Sequence, residues 1–221
     1  MTVRFGFLVF PNVQQLDLTG PYEVFASAKG TQVDLVWKSR DPVMSVTGLG
    51  FTPTTTFDEC PQFDVLCVPG GGGINALLTD EVVLKFIRTQ AKGARYITSV
   101  CTGSLVLGAA GLLKGKNAAT HWNAMDFLTR FGATPVHERV VRDGNIITAG
   151  GVTSGIDFGL SVIAELFGQR EAEVVQLSLE YAPAPPFHAG TPKQAAPEIV
   201  TEARNRIERS RVEREKILAT L

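Results

Sequence analysis

The feature that most constrains this chain is a recurrence of strand-length apolar runs that scarcely alternate with polar residues. They fall at Val3 to Phe10, Val33 to Trp37, Phe63 to Pro69 and Ala94 to Val100, with helical spacing in between. A strand with one wetted face alternates, whereas one covered on both faces is apolar throughout. The pattern predicts an α/β fold: an open, doubly wound, mostly parallel sheet with helices on both faces. A ligand on such a sheet sits beyond the carboxyl ends of the strands.

The first helix is expected to begin near Thr19, whose hydroxyl can cap it, with Pro21 in the first turn and Glu23 complementing the dipole. A second is expected from Thr79 to Ala91 and a third from Ser104 to Leu113. Asp143-Gly144 suits the tight turn of a hairpin over Val140 to Thr148. Helices follow at Val152 to Phe167 and Arg170 to Tyr181, before Pro183, Pro185, Pro186, Pro192 and Pro197 mark an extended tail. Glu198 to Leu221, with alternating charges, reads as an exposed or partner-facing helix. Residues 1–181 are thus expected to form one α/β domain, and 182–221 a Pro-rich tail and helix packing on it or on a partner subunit.

Charge and cysteine usage narrow the function classes. Lys plus Arg number 21 and Asp plus Glu 22, so there is no excess positive charge to hold nucleic acid or an acidic membrane surface. The longest apolar run, Leu105 to Leu113, is about half the roughly 20 residues a membrane-spanning helix needs. No secretory cleavage site follows the N-terminal apolar run. Cys60, Cys67 and Cys101 are odd in number and form no CxxC pair, which argues against a disulfide framework or zinc knuckle and suits a reducing cytoplasm.

Ser99-Val100-Cys101-Thr102-Gly103 closes one apolar strand and opens a helical run. It compares with the G-x-S-x-G nucleophile elbow, cysteine replacing serine, with small residues two positions to either side where bulk would collide with neighbouring elements. Cys101 at a helix N-terminus is expected to favour thiolate and act as the nucleophile. Cys60 and Cys67 have no such context and read as packing residues.

Of the three histidines, neither His137 nor His188 is followed by Glu two residues on, so the H-x-E of a class I glutaminase is absent. His121 reads as a packed histidine near the sheet edge, and no metal cluster emerges. Asp17 follows the first strand and lies on the side of Cys101. It is either a carboxyl raised into the neutral range and able to move protons, or an anchor for loop amides. Pro69-Gly70-Gly71-Gly72-Gly73 and Gly150-Gly151-Val152-Thr153 can each present backbone amides to a ligand or serve as plain turns; neither is a nucleotide-binding motif.

Leu16-Asp17-Leu18-Thr19-Gly20-Pro21-Tyr22-Glu23-Val24-Phe25, Val68-Pro69-Gly70-Gly71, the segment Ser99 to Leu113 and Thr120-His121-Trp122 resemble the PfpI-like superfamily, flavodoxin-like relatives of class I amidotransferases. The likeness spans about residues 1 to 181. Within that superfamily Val136 to Asn145 and the tail Leu179 to Phe187 resemble the isocyanide hydratases. The elbow and the Asp17 motif are shared with sensor domains fused to AraC-type DNA-binding modules, but only about 24 residues follow Pro197, too few for paired helix-turn-helix units.

The resemblance implies hydration of an isocyanide to an N-substituted formamide, without cofactor or metal, in a homodimer. It implies covalent attack by Cys101, proton transfer by Asp17, and orientation of substrate and water by Thr102, Gly72, Gly150 and Val152. Thr102 stands where the protease-like branch carries His, which argues against peptidase activity. The alternatives are a glyoxalase-like or deglycase-like cysteine enzyme, and a non-enzymatic metabolite or redox sensor.

Overall fold

A computed structural model describes residues 2–220. Its strands are β1 (Val3–Leu8), β2 (Thr31–Trp37), β3 (Val43–Met44), β4 (Gly50–Phe51), β5 (Thr55–Thr56), β6 (Val65–Val68), β7 (Tyr96–Val100), β8 (Asn117–Ala118), β9 (Thr134–Pro135), β10 (Val140–Asp143) and β11 (Ile146–Ala149). Its α-helices are α1 (Gln15–Ser27), α2 (Ile74–Leu77), α3 (Glu81–Ala91), α4 (Gly103–Ala109), α5 (Ser154–Phe167), α6 (Gln169–Ser178) and α7 (Pro197–Leu218). A 3-10 helix covers Trp122–Phe131.

The main sheet has the order β10-β11-β7-β6-β1-β2-β5. Every pairing in it is parallel except the β10–β11 hairpin, whose turn places Gly144 at φ 66°. The chain winds outward from β1 to β2, then crosses to β6 on the other side of β1 and continues to β7 and β11. That reversal is the topological switch of a flavodoxin-like sheet, where a crevice opens at the strand ends.

β6 is buried at every residue, as its apolar run requires, and so is β11, whereas β2 is buried only at Val36 and Trp37. On one side of β1, Phe5 stacks on Phe25 of α1 at 4.3 Å between ring centroids, and Phe25 meets Phe158 of α5 edge-on at 5.8 Å. All three rings are fully buried, each contributing roughly 2–3 kcal/mol of apolar burial. Gly6 points the other way, and a Cβ there would lie 2.3 Å from the Phe63 ring, so glycine lets Phe63 close that face. Towards the C-terminus α7 packs on α2 and on the 3-10 helix.

Several boundaries differ from expectation. α1 begins at Gln15, because the chain turns through Asn12 at φ 61° and Gln14 is already in the capping conformation. Thr19 is therefore inside the helix, donating to Gln15 Oε1 at 3.0 Å, and Pro21 lies beyond the first turn. Asp17 consequently belongs to a helix rather than a loop. α3 starts at Glu81, with Asp80 accepting from Val82 and Val83 as cap. α4 stops at Ala109, before Gly111 at φ 81°, so it is shorter than the apolar run suggests. The 3-10 helix was not anticipated; its cap is His121, which accepts from the Asn123 amide at 3.3 Å. α7 ends at Leu218, and Leu221, placed by the sequence in that helix, lies outside the described residues.

Candidate active site

Three strand ends converge at the switch: β1 leading into α1, β6 into the glycine-rich turn, and β7 into Cys101. Cys101 has φ 54°, a left-handed conformation that a non-glycine residue adopts only where its surroundings hold it. Its N–H donates to the carbonyls of Ala149 (3.0 Å) and Gly150 (2.8 Å). Its own carbonyl accepts from the hydroxyls of Thr120 (2.9 Å) and Ser104 (3.3 Å). The small residue at 103 is required by contact: a Cβ on Gly103 would lie 2.0 Å from the Val68 carbonyl oxygen. These are the features of a strained strand–turn–helix elbow.

Asp17 is brought against this elbow by the first turn of α1 and is fully buried. Its Oδ2 accepts from the Gly70 amide at 2.9 Å. Oδ1 has no aligned donor among the described residues, and the Cys101 thiol is the side chain coupled to this carboxyl. A Cβ on Gly70 would fall 2.6 Å from the Thr102 amide nitrogen and 2.8 Å from Asp17 Oδ2, so glycine is what allows the three segments to meet. Burial raises the Asp17 pKa from 3.8 to about 7, against the lowering effects of the Gly70 amide and the Cys101 thiol.

Cys101 is 6% exposed. Burial first, then the charge of Asp17, hold its thiol well above 9.0, despite favourable hydrogen bonds from the Thr102 amide and hydroxyl. The expectation that the helix N-terminus leaves a thiolate is therefore corrected. α4 has only seven residues, and its end cannot outweigh desolvation and an adjacent carboxylate.

The remaining expected site residues divide. Thr102 is at the elbow, its hydroxyl accepting from the Gly71 amide at 3.1 Å while its own proton can point to the sulfur. The amides of Gly72 and Val152 have no hydrogen-bond partner among the described residues. Gly150 is corrected: its N–H is committed to the Arg139 carbonyl at 2.9 Å, and its carbonyl takes the Cys101 N–H, so it offers no free amide. His121 is mostly buried beside Gly151, and burial, with the nearby Arg214 charge, lowers its pKa to about 4, which keeps it neutral. Cys67 is fully buried, pushed up to about 12 by desolvation, and Cys60 is held by the Phe57 carbonyl and Gln90.

Sequence reasoning missed Asn75 and Arg214. Arg214 of α7 is buried and donates to Asn75 Oδ1 at 3.0 Å. Nothing in an alternately charged helix singles out one arginine as the inward one.

Taken together, the sheet order and the strained cysteine beside a buried carboxyl define a flavodoxin-like α/β protein with a cysteine elbow of the amidotransferase-related kind. Residues 3–165 match the DJ-1/PfpI family, and the chain belongs to it. It is 61% identical over 206 residues to the isonitrile hydratase of Pseudomonas putida, covering 93% of this chain and 90% of that one. The glutathione-independent glyoxalase DJR-1.2 of Caenorhabditis elegans is 28% identical over 64% of this chain and 77% of its own length. Among solved structures, a ThiJ/PfpI family protein from Pseudomonas syringae superposes with a TM-score of 0.95 at 45% identity, over 99% of this chain and 91% of that one. That superposition takes in α7. Among the described residues no helix is long and apolar enough to cross a membrane.

Proposed function

We propose that the protein hydrates isocyanides to N-substituted formamides, with Cys101 as nucleophile and Asp17 as proton carrier. The observation that carries this reading is the 61% identity to an isonitrile hydratase across nearly the full length of both chains. The buried Cys101–Asp17 pair supplies the chemistry. Cys101 Sγ bonds to the terminal carbon of R-N≡C, the thiol proton passes to Asp17, and Asp17 delivers a proton to that same carbon, giving the thioimidate R-N=CH-S-Cys101. Water then adds across the C=N bond, oxygen to carbon and hydrogen to nitrogen. Collapse forms the formamide carbonyl, breaks the C–S bond and returns the hydroxyl proton to sulfur through Asp17. The Gly72 and Val152 amides and the Thr102 hydroxyl are the groups available to orient substrate and water.

Incubation with n-butyl isocyanide, followed by mass spectrometry, is expected to yield N-butylformamide carrying oxygen from solvent water. Absence of formamide, with lactate formed from methylglyoxal instead, would replace this reading by the glyoxalase one.

We also propose a cytoplasmic homodimer, with residues 182–221 an appendage of the 1–181 domain. Its support is the apolar surface of α6 and the tail, where Leu177 is 81% and Phe187 78% exposed and a second copy would cover them. Three unpaired cysteines suit a reducing compartment. Light scattering should give twice 23.8 kDa over a dilution series; a steady monomer mass would end the dimer proposal.

A further inference from the structure

Two segments singled out by the sequence, Val136 to Asn145 and Leu179 to Phe187, take no part in the chemistry above. One residue of each meets Asp157, in the first turn of α5. The Arg139 guanidinium pairs with Asp157 Oδ2, and Tyr181 Oη donates to Asp157 Oδ1 at 2.8 Å. One carboxylate thus ties the loop before β10 to the chain that leaves α6. Tyr181 is placed for this by its backbone: Glu180 turns at φ 48°, and the Tyr181 N–H donates to the Gln176 carbonyl at 3.0 Å.

Arg139 also holds the Gly150–Thr153 turn at both ends. Its carbonyl accepts from the Gly150 N–H at 2.9 Å, and its guanidinium reaches the Thr153 hydroxyl at 3.5 Å. The Gly150 carbonyl in turn accepts from the Cys101 N–H at 2.8 Å, so contact runs unbroken from Arg139 to the elbow. A Cβ on Gly150 would lie 3.4 Å from the Glu138 carbonyl oxygen and 3.6 Å from that of Thr120, which shows how closely the loop before β10 packs on the turn. Between the two held ends stands the Val152 amide, without a hydrogen-bond partner among the described residues. Cys101, at φ 54°, keeps its conformation only while its surroundings hold it, and this turn supplies one of the two acceptors of its N–H.

We propose that Arg139, gripped by Asp157 and Tyr181, is a positioning residue that fixes the Gly150–Thr153 turn, and with it the Val152 amide and the backbone of Cys101. It acts through the turn and not on the sulfur. An ion pair as exposed as this one adds little to stability, so its effect belongs to geometry and rate. The consequence for turnover rests on the hydratase reading, but the grip on the turn does not.

The first arm of the test therefore needs no isocyanide. Amide hydrogen exchange of the full chain is read by mass spectrometry on peptides spanning residues 146–158. In Arg139→Gln exchange there should quicken about tenfold or more, the scale of one lost charge-assisted hydrogen bond, with peptides of β1 and α3 unchanged. Tyr181→Phe should move it in the same direction, and should add little to Arg139→Gln because both act through Asp157. With n-butyl isocyanide, kcat should fall about 10- to 100-fold in Arg139→Gln, KM should change less, and Tm should scarcely move. Arg139→Lys keeps the pair with Asp157 and should recover most of the rate. Unchanged exchange in Arg139→Gln, or in Tyr181→Phe should Arg139→Gln not fold, overturns the proposal. So does quickened exchange at an unaltered kcat, and so does a loss of kcat that follows a loss of Tm and is not recovered by Arg139→Lys, which would mark a packing role. A wild type that makes no formamide overturns the hydratase reading instead, and the exchange arm still decides whether the grip exists.

Discussion

Replacing Asp17 by Asn separates proton transfer from architecture, because the two make opposite demands on this residue. Asn retains an oxygen for the Gly70 amide, the one aligned hydrogen bond the side chain accepts. It cannot ionise. The wild-type carboxyl, raised from 3.8 to about 7 by burial, binds its proton more tightly in the folded chain than in the unfolded one. The sign follows directly: the stabilisation is present at low pH and is lost as pH rises towards 7. Between pH 4 and 7 the loss is about 1.4 kcal/mol per pH unit, or roughly 4 kcal/mol in all.

Asp17→Asn escapes this loss. Urea unfolding at pH 4 to 8 should therefore show the variant gaining on the wild type by up to about 4 kcal/mol, with the gap levelling off above pH 7. Turnover of an alkyl isocyanide should meanwhile fall by about 10²–10⁴-fold. Labelling of Cys101 by iodoacetamide should persist and its pH midpoint move down, since the Asp17 charge is the second cause of the raised thiol. Parallel stability curves would show that the folded-state pKa of Asp17 is not raised, and if Asp17 only anchored the Gly70 turn, any loss of rate would follow a loss of Tm. Near-normal turnover in Asp17→Asn would remove it as proton carrier and leave Thr102 or a bound water.

Cys101→Ala should abolish formamide production while the chain stays folded, with Tm lowered modestly because the sulfur is buried in the core cluster as well as beside Asp17 and Thr102; measurable turnover would refute covalent catalysis. Gly103→Ala would drive a Cβ to 2.0 Å from the Val68 carbonyl and should cost about 3 kcal/mol or more in urea unfolding, with turnover lost even in the folded fraction. Cys67, pushed up to about 12 and fully buried, should stay unlabelled by iodoacetamide at pH 8 until the chain unfolds; labelling in the native state would contradict its placement mid-sheet.

What the sequence made legible followed local rules. Near-continuous apolar runs of strand length read as strands covered on both faces, and β6 has that form, whereas β2 is only half-buried over most of its length. The elbow was legible because its sterics act over two residues, from Ser99 to Gly103. The start of α1 was misplaced because Thr19 is a good cap in isolation, whereas the turn at Asn12–Gln14 is set by contact with the glycine-rich turn: the Gln14 amide donates to the Gly70 carbonyl at 2.9 Å. The state of the thiol was misjudged for a related reason. A helix terminus is visible in a sequence, but the depth at which Cys101 is buried and the nearness of a carboxyl 84 positions away are properties of the assembled sheet. Arg214 lies further still along the chain, in a helix whose composition is solvent-like at nearly every other position.

A raised thiol is at first sight a poor nucleophile, yet it suits the proposed reaction better than a free thiolate. An isocyanide receives both new bonds, one to sulfur and one to hydrogen, at the same terminal carbon. A thiolate standing alone would add sulfur and leave the carbon needing a proton from a separate donor. In this site the thiol and the carboxyl are neighbours, and burial raises both towards their protonated forms. Sulfur and proton can then be supplied to the carbon by adjacent buried groups rather than by solvent. Burial also makes charge separation expensive when the proton leaves sulfur, which favours its direct passage to the neighbouring carboxyl. The thiol can then remain protonated at rest, held there by burial and Asp17, and still lose its proton to that carboxyl once substrate arrives.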